Sequence, residues 1–425
     1  MVNLELPYGR ENLVLELPNE KIAGILVSKA HHYKKTGTET EIVKKALTNP
    51  INSPTLRELA KGKKNIVIIS SDHTRPVPSH VTMPVLLDEI RAGNPHAEIT
   101  ILVATGYHRP TTADELRSKY GQEIFERENI IVHNGFCAED TVNIGKLPSG
   151  GELKINKLAL QADLLLAEGF IEPHMFAGFS GGRKSVLPGI ASKDTVMANH
   201  CAEFIASEYA RAGIIDGNPI HKDMIYAAKE AKLAFILNVV IDAEKKVIEA
   251  FAGHYNDAHR KGCEFVRELA GVKAIPADIV IITNGGYPLD QNIYQTVKGM
   301  ASAEGTCKPG GVIIAVSSCN QGHGGEAFYE TMAKAKDPQE VMDEIICRPA
   351  DQTVPDQWES QILSRILIKH KVIMVTDAPR EMVEKMHMIW SPDITSAIKL
   401  AEDILKKDSS KITIIPDGVS VIVLN

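Results

Sequence analysis

The chain has 425 residues, of which 44% are hydrophobic and 24% are charged, and its formal net charge is −7. This length predicts two or three domains with sizeable cores, and the acidic balance excludes a broad basic surface for nucleic acid. No apolar run reaches the ~20 residues that cross a bilayer, and the first residues lack the basic head and apolar core of a signal peptide. The six cysteines form no C-x-x-C pair, which is typical of reduced thiols in the cytoplasm. We therefore expect a cytoplasmic protein whose partners are small molecules, with neither membrane nor nucleic acid among them.

The first part of the chain alternates short apolar runs with polar loops and helical stretches. Two short strands are predicted around the turn at residues 7–10. Three further strands are predicted at Asn65–Ser70, Glu98–Ala104 and Ala162–Ala167. Strands that alternate with helices indicate βαβ units and a mainly parallel sheet.

A second series of strands begins after Gly271–Pro276, which resembles a linker. Its strands are predicted at Ala277–Thr283, Gly311–Val316 and Lys371–Thr376, and residues 411–425 are predicted to form two strands around Pro416-Asp417-Gly418. The expected domains are therefore residues 1–270, completed by 409–425, and residues 276–408. The fold class is α/β, with two doubly wound Rossmann-like domains, mainly parallel sheets and an active-site cleft between the domains. In such sheets, ligands bind beyond the carboxyl ends of the strands.

Asp72 and Arg75 follow the first of these strand ends, and Thr74 lies between them. An arginine at a strand end can hold a carboxylate through two hydrogen bonds, and an aspartate can orient it or bind a hydroxyl group. The alternative is a surface loop in which Asp72 caps the next helix.

Two histidines occupy later strand-end loops: His108 in the segment GYHRP and His174 in the segment EPHMF. A loop histidine titrates near neutral pH and can act as a general base. Two histidines that face one crevice would suit proton transfers at opposite faces of a carbon atom. A turn-stabilising or exposed histidine is the alternative for each.

The strongest local signal is the glycine-rich segment Gly178–Gly189, which contains Arg183 and Lys184. Glycines allow backbone N–H groups to approach a phosphate, but the spacing does not match G-x-x-x-x-G-K-[ST], so ATP binding is disfavoured. A buried, nucleophilic Lys184 and a flexible solvated loop are both open. His200 follows on a predicted helix, without a sequence-local partner of the H-x-x-x-H type, so a structural role is its alternative.

In the second domain, a polar segment after a strand leads into a helix that carries Tyr294, Gln295 and Lys298. Gln295 and Lys298 are three residues apart and share one face of that helix. They could bind a carboxylate or a phosphate, although a solvated helix face is equally compatible with the pattern.

Together these segments resemble the family of lactate racemases that use a nickel-pincer nucleotide. The resemblance rests on the order and spacing of the Asp72-x-x-Arg75 loop, the Gly106–Arg109 turn, the Glu172–Lys184 segment, His200 and the Gln295-x-x-Lys298 helix. It covers both predicted domains, and no functional position departs from the family pattern.

The resemblance implies a role for each of these residues. It implies that Lys184 carries the cofactor, Ni(II) pyridinium-3,5-bisthiocarboxylic acid mononucleotide, covalently, and that His200 is the nickel ligand from the protein, in a square-planar site. It implies that His108 and His174 are the acid/base pair while hydride leaves and returns through the cofactor. Asp72, Thr74, Arg75, Gln295 and Lys298 would line the cofactor and substrate pocket. Arg75, Tyr294, Gln295, Lys298 and Trp358 are candidate substrate contacts.

The implied activity is the interconversion of D- and L-lactate, with maturation proteins supplying the cofactor. A racemase or epimerase of another 2-hydroxy acid is the nearest alternative, because residues distant from the chemistry decide the chain length of the substrate. A non-catalytic protein that binds a phosphorylated metabolite through residues 180–184 is the alternative from another class. An NAD-dependent dehydrogenase is disfavoured, because no G-x-G-x-x-G follows an early strand.

Overall fold

The computed structural model describes residues 1–407 and 409–424. Its strands are β1 Val2–Tyr8, β2 Glu11–Leu17, β3 Ile22–Ile25, β4 Asn65–Ser71, β5 Glu98–Ala104, β6 Asn129–Val132, β7 Thr141–Lys146, β8 Glu152–Asn156, β9 Leu164–Phe170, β10 Pro173–His174, β11 Gly178–Phe179, β12 Leu233–Ile241, β13 Val247–Gly253, β14 Gly271–Lys273, β15 Ala277–Thr283, β16 Cys307–Val316, β17 Lys371–Val375, β18 Ile389–Ser391, β19 Ile412–Ile415 and β20 Ile422–Leu424.

The α-helices are α1 Glu39–Thr48, α2 Leu56–Ala60, α3 Ser79–Gly93, α4 Ala113–Tyr120, α5 Gln122–Arg127, α6 Lys157–Leu160, α7 Lys193–Asn199, α8 Ala202–Ala206, α9 Pro219–Glu230, α10 Asp257–Ala270, α11 Ile293–Glu304, α12 Glu326–Lys334, α13 Pro338–Ile346, α14 Gln357–Lys369, α15 Arg380–Lys385 and α16 Ile394–Leu405. Short 3-10 helices lie at Asn19–Lys21, Lys29–His32, Ala138–Asp140, Gly182–Ser185 and Ala350–Gln352.

The chain forms two compact units. The central unit comprises residues 30–200 and 207–268, and the terminal unit comprises residues 1–29, 201–206 and 269–425. Each has a mainly parallel sheet, as predicted from the alternation of apolar runs and helical stretches. The two-unit α/β class is thereby confirmed.

The sheet of the central unit has the strand order β13-β12-β9-β4-β5-β6. Its neighbours pair in parallel except β12 and β13, which are antiparallel. The inner strands are continuous apolar runs because helices cover both faces of such a sheet. Residues 66–69 of β4, for example, are almost wholly inaccessible to solvent.

The sheet of the terminal unit has the order β18-β17-β16-β15-β19-β3, and all neighbours pair in parallel. Its apolar core includes side chains from the hairpin β1–β2, from β15 to β17 and from α16. The predicted hairpin at the start of the chain is confirmed, with Val2 opposite Leu17 and Tyr8 opposite Glu11.

The units divide the chain differently from the predicted boundaries. Strand β3 pairs with β19, so the first residues lie in the terminal unit rather than with residues 30–268. Residues 409–424 also belong to the terminal unit, because β19 pairs with β15 and β20 pairs with β14. The predicted linker Gly271–Pro276 therefore begins with a paired strand. An apolar run indicates a strand but not which sheet the strand joins.

Candidate active site

Three neighbouring strands of the central sheet, β9, β4 and β5, end at the same edge. Their loops carry His174, Asp72 and His108 respectively. Parallel strands present their carboxyl ends together, so the topology gathers on one edge the polar side chains that the sequence places after separate strands.

Asp72 and His108 form a hydrogen-bonded pair. The Nδ1 atom of His108 lies 2.7 Å from Asp72 Oδ2, and the side chain of Asp72 is 1% exposed whereas that of His108 is 42% exposed. Thr74 donates to the other carboxylate oxygen through its hydroxyl group, at 2.6 Å, and through its backbone N–H, at 3.1 Å. Asp72 therefore does not cap the following helix α3, which begins at Ser79.

The surroundings of Asp72 keep its carboxyl group ionised. Burial alone would raise the pKa of Asp72, but the hydrogen bond and charge of His108, the Thr74 hydroxyl group and the charge of Arg75 outweigh it and lower the pKa. An ionised carboxylate accepts the Nδ1 proton of the imidazole and leaves Nε2 to take or give a proton. This arrangement is typical of an oriented general base.

His174 lies beside Lys184. The short strands β10 and β11 pair His174 with Gly178 and fold the loop back on itself. The Nε2 atom of His174 is 3.1 Å from Lys184 Nζ, and its Nδ1 atom accepts the backbone N–H of Ala177 at 3.3 Å. Either group can donate to the other in this contact, according to the protonation state of the imidazole and of the amine.

His200 is a buried neutral imidazole at the end of α7. Burial, and then the charge of Lys184, lower the pKa of His200 to about 3. Its Nδ1 atom lies 3.0 Å from the backbone oxygen of Val196, so Nδ1 carries the ring proton and Nε2 carries a lone pair. This tautomer is the one in which histidine binds a metal through Nε2.

Phe176 packs between the two histidines of this part of the site. Its ring centroid is 4.5 Å from that of His174 and 5.2 Å from that of His200, with both pairs edge-to-face. Lys184 Nζ lies 5.8 Å from the same ring. Phe176 was missed by sequence reasoning, and the available signal was its position two residues after a candidate histidine.

Arg183 stabilises the loop that holds Lys184. Its guanidinium group is fully buried and donates to the backbone oxygens of Ala177, at 2.6 Å, Phe179, at 2.8 Å, and Gly181, at 3.2 Å. The sequence had left open a solvated basic loop or a phosphate site at this segment. In the structure, the Arg183 guanidinium group donates to the protein's own backbone carbonyl groups instead of facing solvent or a ligand.

Two imidazoles complete the surroundings of Arg183. Its Nε atom donates to His221 Nδ1 at 3.0 Å, and its Nη1 atom lies 3.1 Å from His259 Nε2. Burial, followed by the charge of Arg183, lowers the pKa of His221 to about 3 and that of His259 well below its ordinary value. Gly182 has a φ of +53°, and an added Cβ there would meet His259 at 2.6 Å, so only glycine fits.

Replacing Arg183 with methionine is expected to lower the free energy of unfolding by about 3 kcal/mol or more, because several buried acceptors lose their donor at once. Urea denaturation of the two proteins measures this difference. Arg260→Met is the matched control, since Arg260 forms an exposed ion pair with Asp216 at 2.9 Å and should cost less than about 1 kcal/mol. An equal decrease in the free energy of unfolding in both variants would contradict the anchoring role of Arg183.

Arg75 lines an open cavity of about 340 Å³ in the central unit. The other ionisable side chains that line it are His73, His80, Glu115, Lys119 and Lys245. Cations outnumber the single carboxylate there, so the surroundings of Arg75 favour an anionic group. The use of Arg75 as a carboxylate-binding residue stays a prediction.

The remaining candidates lie in the terminal unit, on α11 and α14. Lys298 Nζ donates to Gln295 Oε1 at 2.6 Å, and both side chains are half-buried on the first turns of α11, where the sequence placed them. Trp358 Nε1 donates to the Tyr294 hydroxyl group at 3.0 Å. The structure therefore groups these four residues in two hydrogen-bonded pairs.

Within residues 1–407 and 409–424, no group of three or more His, Cys, Asp or Glu side chains is placed to hold a metal ion. In the same residues, no helix is long and apolar enough to cross a membrane.

Comparison with protein families decides the relationship of the chain. The model of the lactate racemase N-terminal domain matches residues 8–213, and that of the lactate racemase C-terminal domain matches residues 272–423. The chain belongs to the lactate racemase family. The resemblance inferred from the spacing of the strand-end loops is thereby confirmed.

Two relatives match this member of the lactate racemase family over its whole length. The lactate racemase of Thermoanaerobacterium thermosaccharolyticum is 61% identical over 424 residues, which cover 100% of this chain and 99% of the relative. The lactate racemase of Lactiplantibacillus plantarum is 54% identical over 424 residues, which cover 100% of both chains.

Solved structures give the same result for the fold. The lactate racemase apoprotein from T. thermosaccharolyticum has a TM-score of 0.97 at 60% identity and covers 100% of both chains. A Thermotoga maritima protein has a TM-score of 0.66 at 21% identity and covers 92% of this chain and 100% of its own, which supports the fold alone.

Proposed function

We propose that the chain interconverts D- and L-lactate, with His108 and His174 as the acid/base pair. The activity of the two full-length relatives supports the substrate and the reaction. The observation that carries the proposal is the arrangement around Phe176, where a lysine amine and a neutral imidazole with a lone pair on Nε2 flank one aromatic ring. This combination suits a covalently held cofactor that brings its own metal.

The donor set fits a nickel-pincer nucleotide. Lys184 would hold the group covalently through its amine, and His200 Nε2 would be the only ligand that the chain contributes to nickel, which accepts a square-planar set completed by the cofactor. When bound, the group supplies an acceptor for the hydride of the substrate α-carbon, which no amino-acid side chain can provide. Asp72, Thr74 and Arg75 would contact the cofactor from the loop after β4.

In the proposed function, residues of the chain remove and return the hydroxyl proton of the substrate. His108 can remove the substrate hydroxyl proton at Nε2, because the ionised Asp72 carboxylate holds its Nδ1 proton and stabilises the imidazolium that forms. His174 would serve the opposite enantiomer in the same way. Proteins that make and deliver the cofactor would be required partners, and we place the chain in the cytoplasm with them.

The substrate carboxylate requires cations and amide donors. We assign Gln295 and Lys298 to it, with Arg75 contributing to the carboxylate or to the cofactor phosphate. Tyr294 and Trp358 are candidate packing contacts for the substrate. A guanidinium group binds a carboxylate through two parallel hydrogen bonds, whereas an ammonium group binds it as a point charge.

Intact mass spectrometry with nickel analysis tests the cofactor. We expect protein co-expressed with a pincer-synthesis system to gain the mass of the nucleotide on Lys184 and to hold a single nickel ion per chain. The Lys184→Arg variant keeps the charge but has no amine for the linkage, so it should gain no mass. Lys193→Arg, at a lysine over the exposed Phe136 ring, is the control and should load normally.

No adduct and no nickel in the loaded preparation would contradict the cofactor assignment. Initial rates with lactate, malate and sugar acids then test the substrate. Faster turnover of a longer 2-hydroxy acid would keep the chemistry and replace lactate, because residues away from the reacting carbon decide chain length.

A further inference from the structure

Helix α14 carries an unusual run of buried polar atoms. Within the described residues, Gln357 Nε2, Ser360 Oγ, Gln361 Oε1 and both carboxylate oxygens of Glu359 have no hydrogen-bond partner. All four side chains are at most 2% exposed. Buried polar atoms normally find partners, so a cluster of exceptions on one helix indicates a function beyond packing.

Among the residues of this cluster, Glu359 is the one whose burial costs the most free energy when its side chain is charged. It is 0% exposed, and an unpaired ionised carboxylate is strongly disfavoured in a protein interior. Burial raises the pKa of Glu359 to about 8, and nearby Asp356 also raises it, while the charge of Lys298 acts in the opposite direction. Glu359 therefore changes its charge near neutral pH, and this change alters the electrostatic interaction between Glu359 and Lys298.

The contact between α11 and α14 fixes this neighbourhood. Tyr294 and Lys298 are four residues apart and share a face of α11. The hydrogen bond from Trp358 to the Tyr294 hydroxyl group, at 3.0 Å, ties that face to the turn of α14 that precedes Glu359. The charge of Glu359 also acts on Tyr294, whose pKa is raised well above its ordinary value, mainly by burial.

Other charged groups on these helices are paired elsewhere. Arg365, further along α14, binds Glu304 of α11 at 2.8 Å, and Arg348 after α13 donates to Gln357 and Glu344. Two charged groups act on Glu359: Lys298, which lowers its pKa, and Asp356 at the start of α14, which raises it. Asp356 also hydrogen-bonds with Tyr294. Lys298 is therefore the cation that favours the ionised form of Glu359.

We propose that Glu359 is a positioning residue for Lys298, and that the charge of its carboxyl group sets how tightly Lys298 holds the substrate carboxylate. This inference rests on the proposed function only in assigning Lys298 to the substrate. A neutral Glu359 leaves the Lys298 charge available to the substrate. An ionised Glu359 competes with the substrate for the same ammonium group.

The consequence is a substrate affinity that depends on pH. Because the pKa of Glu359 is raised, the carboxyl group is neutral at mildly acidic pH and ionises as the pH passes through about 8. The KM for lactate should therefore rise by about three- to tenfold between pH 7 and pH 9, while kcat changes little on account of this group. The chain would bind its substrate best on the acidic side of neutrality.

The Glu359→Gln variant separates this effect from other titrations. Its side chain is nearly isosteric and always neutral, so the variant's KM at pH 9 should be about three- to tenfold below that of the natural chain, and the two should converge at pH 6. Glu304→Gln, at a partly buried glutamate of the same helix pair that is paired with Arg365, should leave the pH profile of KM unchanged. Parallel KM profiles in the natural chain and Glu359→Gln would overturn the proposal.

A second measurement needs neither cofactor nor activity. Acetic anhydride labels uncharged lysine amines, so in the cofactor-free chain at pH 9 Lys298 should be acetylated about three- to tenfold faster in Glu359→Gln than in the natural chain. Lys308, which pairs with Asp278 at 3.1 Å, is the internal control and should label at the same rate in both.

The labelling result also distinguishes the inference from the proposed function. An unchanged Lys298 rate would overturn the action of Glu359 on Lys298, even if the loaded protein racemises lactate. A faster rate together with an unchanged KM would overturn the link to substrate affinity. A loaded protein that does not turn over lactate would contradict the proposed function, while the labelling rate still decides the electrostatic pair.

Discussion

Replacing His174 with alanine is expected to reduce the kcat for lactate racemisation by about two to four orders of magnitude, and His108→Ala is expected to do the same. In the proposed function, each imidazole supplies the proton acceptor at one face of the substrate carbon. Chiral chromatography of the product from each pure enantiomer measures the rate. The Lys184 adduct should persist, which intact mass spectrometry checks in the same samples.

The rates of D-to-L and L-to-D racemisation provide a second test of the histidine variants. D- and L-lactate have equal free energies, so kcat/KM must be the same in both directions for any variant. Loss of one histidine should therefore slow both directions equally, although only one enantiomer meets that histidine first. His96→Ala, at an exposed histidine of the same unit, is the control and should retain full turnover. Normal racemisation by either site variant would exclude that histidine from the proposed pair.

Replacing His200 with alanine is expected to lower the nickel content of the loaded protein by about tenfold or more, because even an outer-shell change costs ~10–100-fold in metal affinity. Lys184 should still carry the organic part of the cofactor. The two losses should be separable because, in the proposed function, the imidazole of His200 binds the metal and the amine of Lys184 binds the organic part of the group. Elemental analysis beside intact mass measures both quantities.

The neighbouring Cys201 provides the control for this experiment. It is buried and adjacent in sequence, and a thiolate would be the stronger competitor for nickel if it were a ligand. Cys201→Ala should keep its nickel, whereas His200→Ala should lose it. If Cys201→Ala instead lost its nickel and His200→Ala kept it, the thiol would be the ligand and the assignment of His200 would be contradicted.

Much of the fold could be predicted from the sequence because apolar runs mark the buried strands. Glu98–Ala104 and Ala277–Thr283 are strands with the bounds that the sequence indicated. The linker at residues 271–276 was misjudged, because its first three residues form β14 and pair with β20. Pairing between distant segments leaves no local pattern in a single sequence.

The site was predictable to the extent that its residues follow strand ends. Asp72 and His108 were found in this way, and the structure joins them through one hydrogen bond. The burial of Arg183 and of Glu359 could not be read from the sequence, since charged residues are expected at the surface. Their importance depends on what surrounds them in three dimensions.

The pairing of β3 with β19 has a consequence for the order in which the chain can fold during synthesis. These strands lie at opposite ends of the sequence, so the sheet of the terminal unit cannot be completed until the ribosome has made almost the whole chain. The central unit ends at residue 268 and depends on neither terminus. Local contacts form first and domains fold as units, so the central unit, with Lys184 and both histidines of the proposed pair, should be able to fold while residues 269–425 are still being translated. The nascent hairpin β1–β2 must meanwhile remain soluble without its sheet.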